Sequence, residues 1–100
     1  MNDTAIDDPL ASFRLDDRLV VVTGSSEGIG RAFAECFARA GALVVLASRR
    51  REKLEAVQQS IVGRGGRAEI VATDVGRLAD ICTLAATVRQ LAQGNERRIV

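Results

Sequence analysis

The chain has 100 residues, 47% of them hydrophobic and 27% charged, with a formal net charge of +1 at pH 7, which predicts one soluble globular domain or part of a larger one. The near-neutral charge gives no reason to expect nucleic acid or an anionic membrane surface as a partner. Because the chain has no histidine and only two cysteines, histidine acid–base chemistry is excluded, and a zinc site or a disulfide framework is disfavoured.

Residues 1–12 are predicted to form a mobile leader. This acidic segment contains Asp3, Asp7, Asp8 and Pro9, and it lacks the basic and apolar regions of a secretory signal peptide. No apolar run in the chain approaches the ~18 residues that a membrane span requires. We therefore expect a cytoplasmic protein without a membrane partner, whose folded part comprises residues 13–100.

Short apolar runs rich in β-branched residues predict the strands. Runs that fit buried strands occupy residues 19–23 and 43–47, and residues 68–73 are a third strand candidate. Ile99 and Val100 predict the start of a fourth strand.

Helical patterns separate these runs. Apolar side chains recur at three- and four-residue steps over residues 29–40, 54–62 and 78–91. The predicted apolar faces comprise Ile29, Phe33, Cys36, Phe37 and Ala40 in the first pattern, Leu54, Val57, Ile61 and Val62 in the second, and Leu78, Ile81, Leu84, Ala85, Val88 and Leu91 in the third. Each pattern is closed by glycine, at Gly41, at Gly63 with Gly65 and Gly66, and at Gly94. Cys36 and Cys82 lie on two of these apolar faces and are predicted to be reduced thiols in the core.

The order βαβαβα, followed by the start of a fourth strand, predicts the fold class. Strands that alternate with helices of this length lie parallel and are joined by right-handed crossovers, with helices on both faces of the sheet. We therefore expect an α/β fold with a Rossmann-like, doubly wound parallel sheet that is truncated in its fourth strand.

Gly24, Gly28 and Gly30 lie where the first strand meets the first helical pattern. A phosphate can approach such a turn closely only if no Cβ blocks it and the helix N-terminus presents free N–H groups. Ser25 and Ser26 add hydroxyl groups at the same turn. Glycines can also serve a turn alone, but three within seven residues at this junction favour a phosphate-binding loop. Gly30 would in addition let the helix pack closely on the strand.

The segment T-G-S-S-E-G-I-G, Thr23 to Gly30, resembles the T-G-x-x-x-G-I-G motif of the short-chain dehydrogenase/reductase family. The segments FRLDDRLVVVTG, GALVVLASRR and ATDV agree with this family as well, so the resemblance covers nearly the whole chain from Phe13 onward. It implies a sheet in which the first strand lies between the second and the fourth. It also implies that the turn binds the pyrophosphate of NAD or NADP through Gly24, Ser25, Ser26, Gly28, Gly30 and the backbone N–H of Ile29.

The residues after the second strand predict the choice of cofactor. About 20 residues past the glycines, dinucleotide-binding folds contact the adenosine ribose. An acid there binds the ribose hydroxyls, whereas an arginine offers a fork of donors to a 2′-phosphate. Where the family's NAD-dependent members usually carry Asp, this chain has Ser48, followed by Arg49. Resemblance and electrostatics thus predict NADP(H) rather than NAD(H), with Arg49 as the main ligand and Ser48 and Arg50 as further donors.

Two features oppose this prediction. An alternative interpretation is that the second helix simply starts with solvated arginines, Arg49, Arg50 and Arg51. This alternative applies more to Arg50 and Arg51 than to Arg49. Glu27 occupies the position where many NADP-dependent relatives carry Arg or Lys. Its carboxylate disfavours a nearby phosphate dianion unless it turns to solvent or pairs with an arginine.

Asp74 and Val75 follow the third strand and match the family's D-V pair. The resemblance implies that the Asp74 carboxylate accepts a hydrogen bond from the adenine amino group and that the Val75 N–H donates to the ring. A compatible alternative role for Asp74 is to cap the helix that starts near Arg77.

The resemblance implies that catalysis requires a Tyr, a Lys four residues later and a Ser, with an N-N-A-G motif after the fourth strand. The chain has no tyrosine and no N-N-A-G motif, and Lys53 lies on the cofactor side. We therefore expect no catalytic residue within the chain.

We interpret the chain as the N-terminal, cofactor-binding part of an NADP(H)-dependent oxidoreductase, inactive alone. The complete protein would transfer hydride between the nicotinamide and a small carbonyl or alcohol substrate. It could also form homo-oligomers. The alternative is a non-catalytic dinucleotide-binding or interaction module.

Overall fold

The computed structural model describes residues 14–99, so the predicted leader, Phe13 and Val100 lie outside the described residues. Within that range, strands and helices alternate in the predicted order. They are β1 (Arg18–Thr23), α1 (Gly28–Arg39), β2 (Leu43–Ser48), α2 (Arg51–Gly63), β3 (Arg67–Ala72), α3 (Leu78–Gly94) and β4 (Arg98–Ile99). Each predicted element is confirmed, with small shifts of its bounds.

The four strands form one parallel sheet in the order β3-β2-β1-β4. The first strand therefore lies between the second and the fourth, as the family resemblance implies. Along the longest contact of β1, Leu19 pairs with Leu43 and Thr23 with Ala47. Because all strands run the same way, the connections that follow β1, β2 and β3 all emerge at the carboxyl ends of the strands, on one side of the sheet.

Helices cover both faces of this sheet, which confirms the doubly wound α/β fold. On one face α1 and α2 pack on the sheet through a cluster of buried apolar residues, which includes Val22, Ala34, Ala38, Val44, Leu46, Leu54, Val57 and Ile61. On the other face α3 packs alone, through Leu84, Val88 and Ala92 against Leu19, Leu43, Val45 and Ala47. β2 lies at the centre of both clusters, and its apolar residues are all buried.

The buried face of α1 differs from the predicted one. The helix buries Ala34 and Ala38, while Ile29 and Phe33 of the predicted face are 74% and 53% exposed. The residue at the same helical spacing before Ala34 is Gly30, where a Cβ would overlap the backbone of the preceding turn. α1 thus approaches the sheet through its smallest side chains, and bulky apolar residues are displaced to its flanks.

The predicted burial of the two cysteines is wrong, because Cys36 and Cys82 are both exposed. In α3 the residues that contact the sheet recur at four-residue steps and end at Ala92, which leaves Cys82 outside the contact face. Leu78 and Ile81, which the apolar pattern also placed on that face, are exposed.

Among the helices in residues 14–99, none combines the length and the hydropathy that a membrane span requires.

Candidate functional site

A cleft of about 270 Å³ lies at the carboxyl ends of β1, β2 and β3. Residues that follow each of these strands form its walls. They are Gly24 after β1, Ala47, Ser48 and Arg49 around the end of β2, and Thr73, Asp74 and Val75 after β3. The structure therefore brings together residues predicted separately for the phosphate turn, the ribose and the adenine. Ala47 and Thr73 were not predicted, since nothing in their local sequence distinguishes them from other strand residues.

The turn between β1 and α1 adopts a backbone conformation that favours glycine at two positions. Gly24 and Gly28 have φ of +64° and +65°, in the left-handed region that side chains with a Cβ rarely adopt. Gly30 is required for a different reason, because a Cβ there would lie 2.8 Å from the carbonyl carbon of Gly24 and closer still to its oxygen. This contact confirms that Gly30 permits close packing of the helix on the end of the strand.

The N-terminus of α1 points its backbone donors at this turn. The first N–H groups of any helix lack intrahelical acceptors. In α1 the N-cap residue, Glu27, has an extended backbone and makes no side-chain cap, and the first turn contains no acidic residue. The N–H groups of Gly28, Ile29 and Gly30 thus remain available to an anion, which the helix dipole also favours.

The two serines of the turn lie in different environments. Ser25 is fully buried, and its Oγ accepts a hydrogen bond of 3.1 Å from the N–H of Ala47. The neighbouring N–H of Gly24 donates to the Ala47 carbonyl at 2.8 Å. Ser25 therefore ties the turn to β2, a role that sequence reasoning missed because the two residues are 22 positions apart. Ser26 is half-buried and nearer the surface.

The arginines after β2 also separate. Arg49 lines the cleft and is exposed, and its guanidinium has no hydrogen bond or ion pair with any residue in 14–99. Arg50 lies outside the cleft lining as the N-cap of α2, and its N–H donates to Ser48 Oγ at 3.2 Å. Arg51 faces along α2, with its Nε 3.7 Å from Glu55 Oε2. Ser48 keeps its own hydroxyl proton free to donate to a ligand.

Glu27 forms an ion pair that links the turn after β1 to α2. Its Oε1 lies 2.9 Å from the Nζ of Lys53 in the first turn of α2. The hydrogen bond from Lys53, then the charge of Lys53, and to a smaller extent the charge of Arg50, hold the pKa of the Glu27 carboxyl below its ordinary value. The expected alternatives for Glu27 were solvent or an arginine, so the lysine partner is a correction that follows from how α2 is placed.

The segment after β3 is fixed by short hydrogen bonds. The Asp74 Oδ1 accepts from the N–H of Gly76 at 2.9 Å, and the Asp74 N–H donates to Asp80 Oδ2 at 3.0 Å. The alternative role of Asp74 as the cap of α3 is wrong, because the N-cap is Arg77 and has no side-chain cap. Asp74 and the exposed Val75 both line the cleft, and Asp74 Oδ2 has no hydrogen bond with any residue in 14–99.

Comparisons with known proteins agree with this geometry. The sequence model of a family described as short chain dehydrogenase matches residues 18–94. An uncharacterized oxidoreductase of Mycobacterium tuberculosis is 48% identical over 66 residues, which are 66% of this chain and 25% of that protein. The chain thus spans about a quarter of the length of this curated relative.

Two solved structures with bound NADP are similar to the chain. A metagenomic short-chain oxidoreductase in complex with NADP superposes with a TM-score of 0.74 at 39% identity, covering 84% of this chain and 37% of that one. A 3-oxoacyl-(acyl-carrier-protein) reductase of Agrobacterium tumefaciens with NADP bound has a TM-score of 0.75 at 35% identity, covering 92% of this chain and 35% of that one.

Proposed function

Because the chain belongs to the short-chain dehydrogenase family, we propose that its cleft binds NADP(H) as part of a protein that transfers hydride between the nicotinamide and a small carbonyl or alcohol. The observation that carries the choice of NADP(H) is the position of Arg49. It lines the cleft at the end of β2, is exposed, and has no partner among residues 14–99. Ser48 precedes it where an acid would bind the ribose hydroxyls of NAD.

The turn between β1 and α1 is the proposed pyrophosphate site. The N–H groups of Gly28, Ile29 and Gly30 would donate to the phosphate oxygens at the positive end of the α1 dipole. Gly24 lines the cleft without a Cβ, so a ligand can approach its backbone closely. Ser26 would add a hydroxyl donor, whereas the Ser25 hydroxyl would act indirectly, because its oxygen accepts from the Ala47 N–H and fixes the turn on β2.

The walls of the cleft would hold the adenosine. Arg49 would bind the 2′-phosphate with a fork of N–H donors, supported by the hydroxyl of Ser48 and the charge of Arg50. The free carboxylate oxygen of Asp74 would accept from the adenine amino group, and the backbone N–H of Val75 would donate to the ring. When bound, the cofactor supplies or accepts the hydride, and the residues of this chain orient it and fix its phosphates.

The alternative of a non-catalytic binding module is not favoured, because the curated relative is an oxidoreductase. Both solved neighbours are also reductases or oxidoreductases. The nicotinamide cofactor common to those neighbours also supports dinucleotide binding here.

Isothermal titration of the chain with NADPH and with NADH tests the proposal. The chain should bind NADPH more tightly than NADH. Substitution Arg49→Gln should weaken NADPH binding by about tenfold to a hundredfold, as expected when a charge-assisted hydrogen bond is lost. NADH affinity should stay within about twofold. Arg51→Gln is the matched control, since it removes a neighbouring cation that already pairs with Glu55. Equal losses for both cofactors in Arg49→Gln would contradict the assignment.

A further inference from the structure

The segments that follow β1 and β2 carry charges of opposite sign, which have to be reconciled with a 2′-phosphate; we call Glu27, Arg49, Arg50 and Lys53 the rim. Arg49 and Arg50 follow β2, while Glu27 projects from the turn at the start of α1. The Glu27 side chain is 67% exposed. An unpaired carboxylate beside a dianion lowers the affinity for it, because like charges repel across a few ångströms even in water. Something in the chain must therefore offset Glu27 if NADP(H) is to bind well.

Lys53 is placed to offset that charge. Its Nζ lies 2.9 Å from Glu27 Oε1, and the two residues are 26 positions apart, so the pair depends on the fold and not on a helix repeat. Lys53 is the only lysine in the sequence, and it sits in the first turn of α2, close behind the arginines. Exposed ion pairs of this kind add little to folding stability. The consequence of the pair is therefore local, in the charge that the rim presents.

We propose that Lys53 sets the cofactor preference of the site by neutralising Glu27, so that the rim offers the 2′-phosphate the charge of Arg49 and Arg50 alone. This inference rests on the proposed NADP(H) function. Lys53 is a positioning residue in this scheme: it holds the carboxylate through the ion pair and does not itself bind the phosphate. NADH shares the pyrophosphate but has no 2′-phosphate, so its affinity should respond to the pair less than that of NADPH.

A double-mutant cycle on the chain tests the proposal, with NADPH and NADH dissociation constants measured by titration. Lys53→Gln leaves Glu27 unpaired and should weaken NADPH binding by about tenfold, the order of magnitude that one unit charge exerts on a dianion across several ångströms of water. Glu27→Gln should tighten NADPH binding. The double variant restores the net charge of the rim and should bind NADPH within about threefold of the unmodified chain. In each single variant the NADH affinity should change in the same direction but by a smaller factor than the NADPH affinity.

The salt dependence and one control separate charge from structure. The deficit of Lys53→Gln should shrink as salt rises from 0.05 to about 0.5 M, since added ions screen exposed charges. Arg51 is a cation in the same helical turn that already pairs with Glu55. Arg51→Gln should therefore leave the ratio of NADPH affinity to NADH affinity unchanged. Thermal unfolding of each variant, followed by circular dichroism, should show midpoints close to that of the parent chain.

Two results would overturn the inference. If Lys53→Gln weakens NADPH and NADH equally, the residue supports the turn and not the cofactor choice. If the double variant binds NADPH as poorly as Lys53→Gln alone, Lys53 contacts the phosphate directly and neutralisation of Glu27 is refuted. The proposed function fails separately: a parent chain that binds NADPH no more tightly than NADH refutes it, whatever the variants do.

Discussion

At the scale of single residues, the turn shows that neighbouring glycines are needed for different physical reasons. Gly24 and Gly28 supply a backbone conformation with positive φ, and a Cβ at either would meet nothing within 4 Å. Gly30 has an ordinary helical conformation, but a Cβ there would overlap the Gly24 carbonyl. The first two positions therefore limit the path of the chain, and the third limits the distance between α1 and β1.

Gly30→Ala should destabilise the chain because the added methyl group can be accommodated only if α1 moves away from β1. Overpacking of this kind costs about 1–3 kcal/mol, which urea denaturation of the chain would measure. Gly63→Ala is the control: it lies in α2 with open space at the Cβ position, and alanine is favoured over glycine in helices by up to about 1 kcal/mol. A Gly30→Ala variant as stable as its parent would contradict the close contact.

Local sequence could predict the residues of the site that act through their own backbone or charge. The spacing of Gly24, Gly28 and Gly30 already predicts a phosphate turn, and Arg49 is predicted by its place after a strand. The ion pair of Glu27 with Lys53 could not be predicted, since it joins residues far apart in the chain and depends on the relative placement of two helices. The proposed cofactor contacts of Arg49, Asp74 and the turn residues stay predictions.

At the scale of elements, α1 shows why apolar periodicity identified the helices but misassigned a face. The pattern ranked Phe33 and Cys36 above Ala34 because it scores hydrophobicity and not size. In the fold, the phenylalanine rings of Phe33 and Phe37 stack on the flank with centroids 6.1 Å apart. The helix axis can then approach the sheet through Ala34 and Ala38, both buried. The distance between helix and sheet, which sequence does not display, decided the face.

Ala34→Leu should therefore be costly in a helix where leucine is otherwise well tolerated. Ala34 is 0% exposed between α1 and the sheet, so three extra carbon atoms would separate the two layers, at a cost of about 1–3 kcal/mol. Ala32→Leu, on the exposed side of the same helix, should change stability by no more than about 0.5 kcal/mol. Thermal denaturation of both variants measures the difference, and equal midpoints would contradict the proposed packing.

At the scale of the whole molecule, the two ends of the parallel strands differ. The carboxyl ends of the strands form the cleft with its exposed charges. At the amino ends, the Arg97 guanidinium donates to the carbonyl oxygens of Arg18 at 2.9 Å and Gly41 at 3.1 Å. These bonds link the start of β4 to the starts of β1 and β2, across 79 and 56 residues of sequence. The order of the strands was predictable from the family motif, whereas this anchor was not, because an isolated arginine carries no signal of its acceptors.

Arg97→Met should destabilise the whole sheet, because it leaves two half-buried carbonyl groups without their donor. A hydrogen bond from a charged group contributes about 1.5–3 kcal/mol, so we expect a loss of about 2 kcal/mol or more in the free energy of unfolding. Arg98→Met is the control: its side chain is exposed and has no hydrogen bond among residues 14–99, and the expected change is within about 0.5 kcal/mol. Comparable losses for the two variants in urea denaturation would refute an anchoring role for Arg97.

The separation of exposed rim charges from buried supports has an evolutionary consequence. Glu27 and Arg49 are exposed and Lys53 is half-buried, and none of them belongs to either apolar cluster. Substitutions at such surface positions usually change stability by less than about 0.5 kcal/mol. Under the proposed cofactor contacts, a lineage with this architecture would change between NADP(H) and NAD(H) by single surface substitutions, while Gly30, Ser25 and β2 stay unchanged.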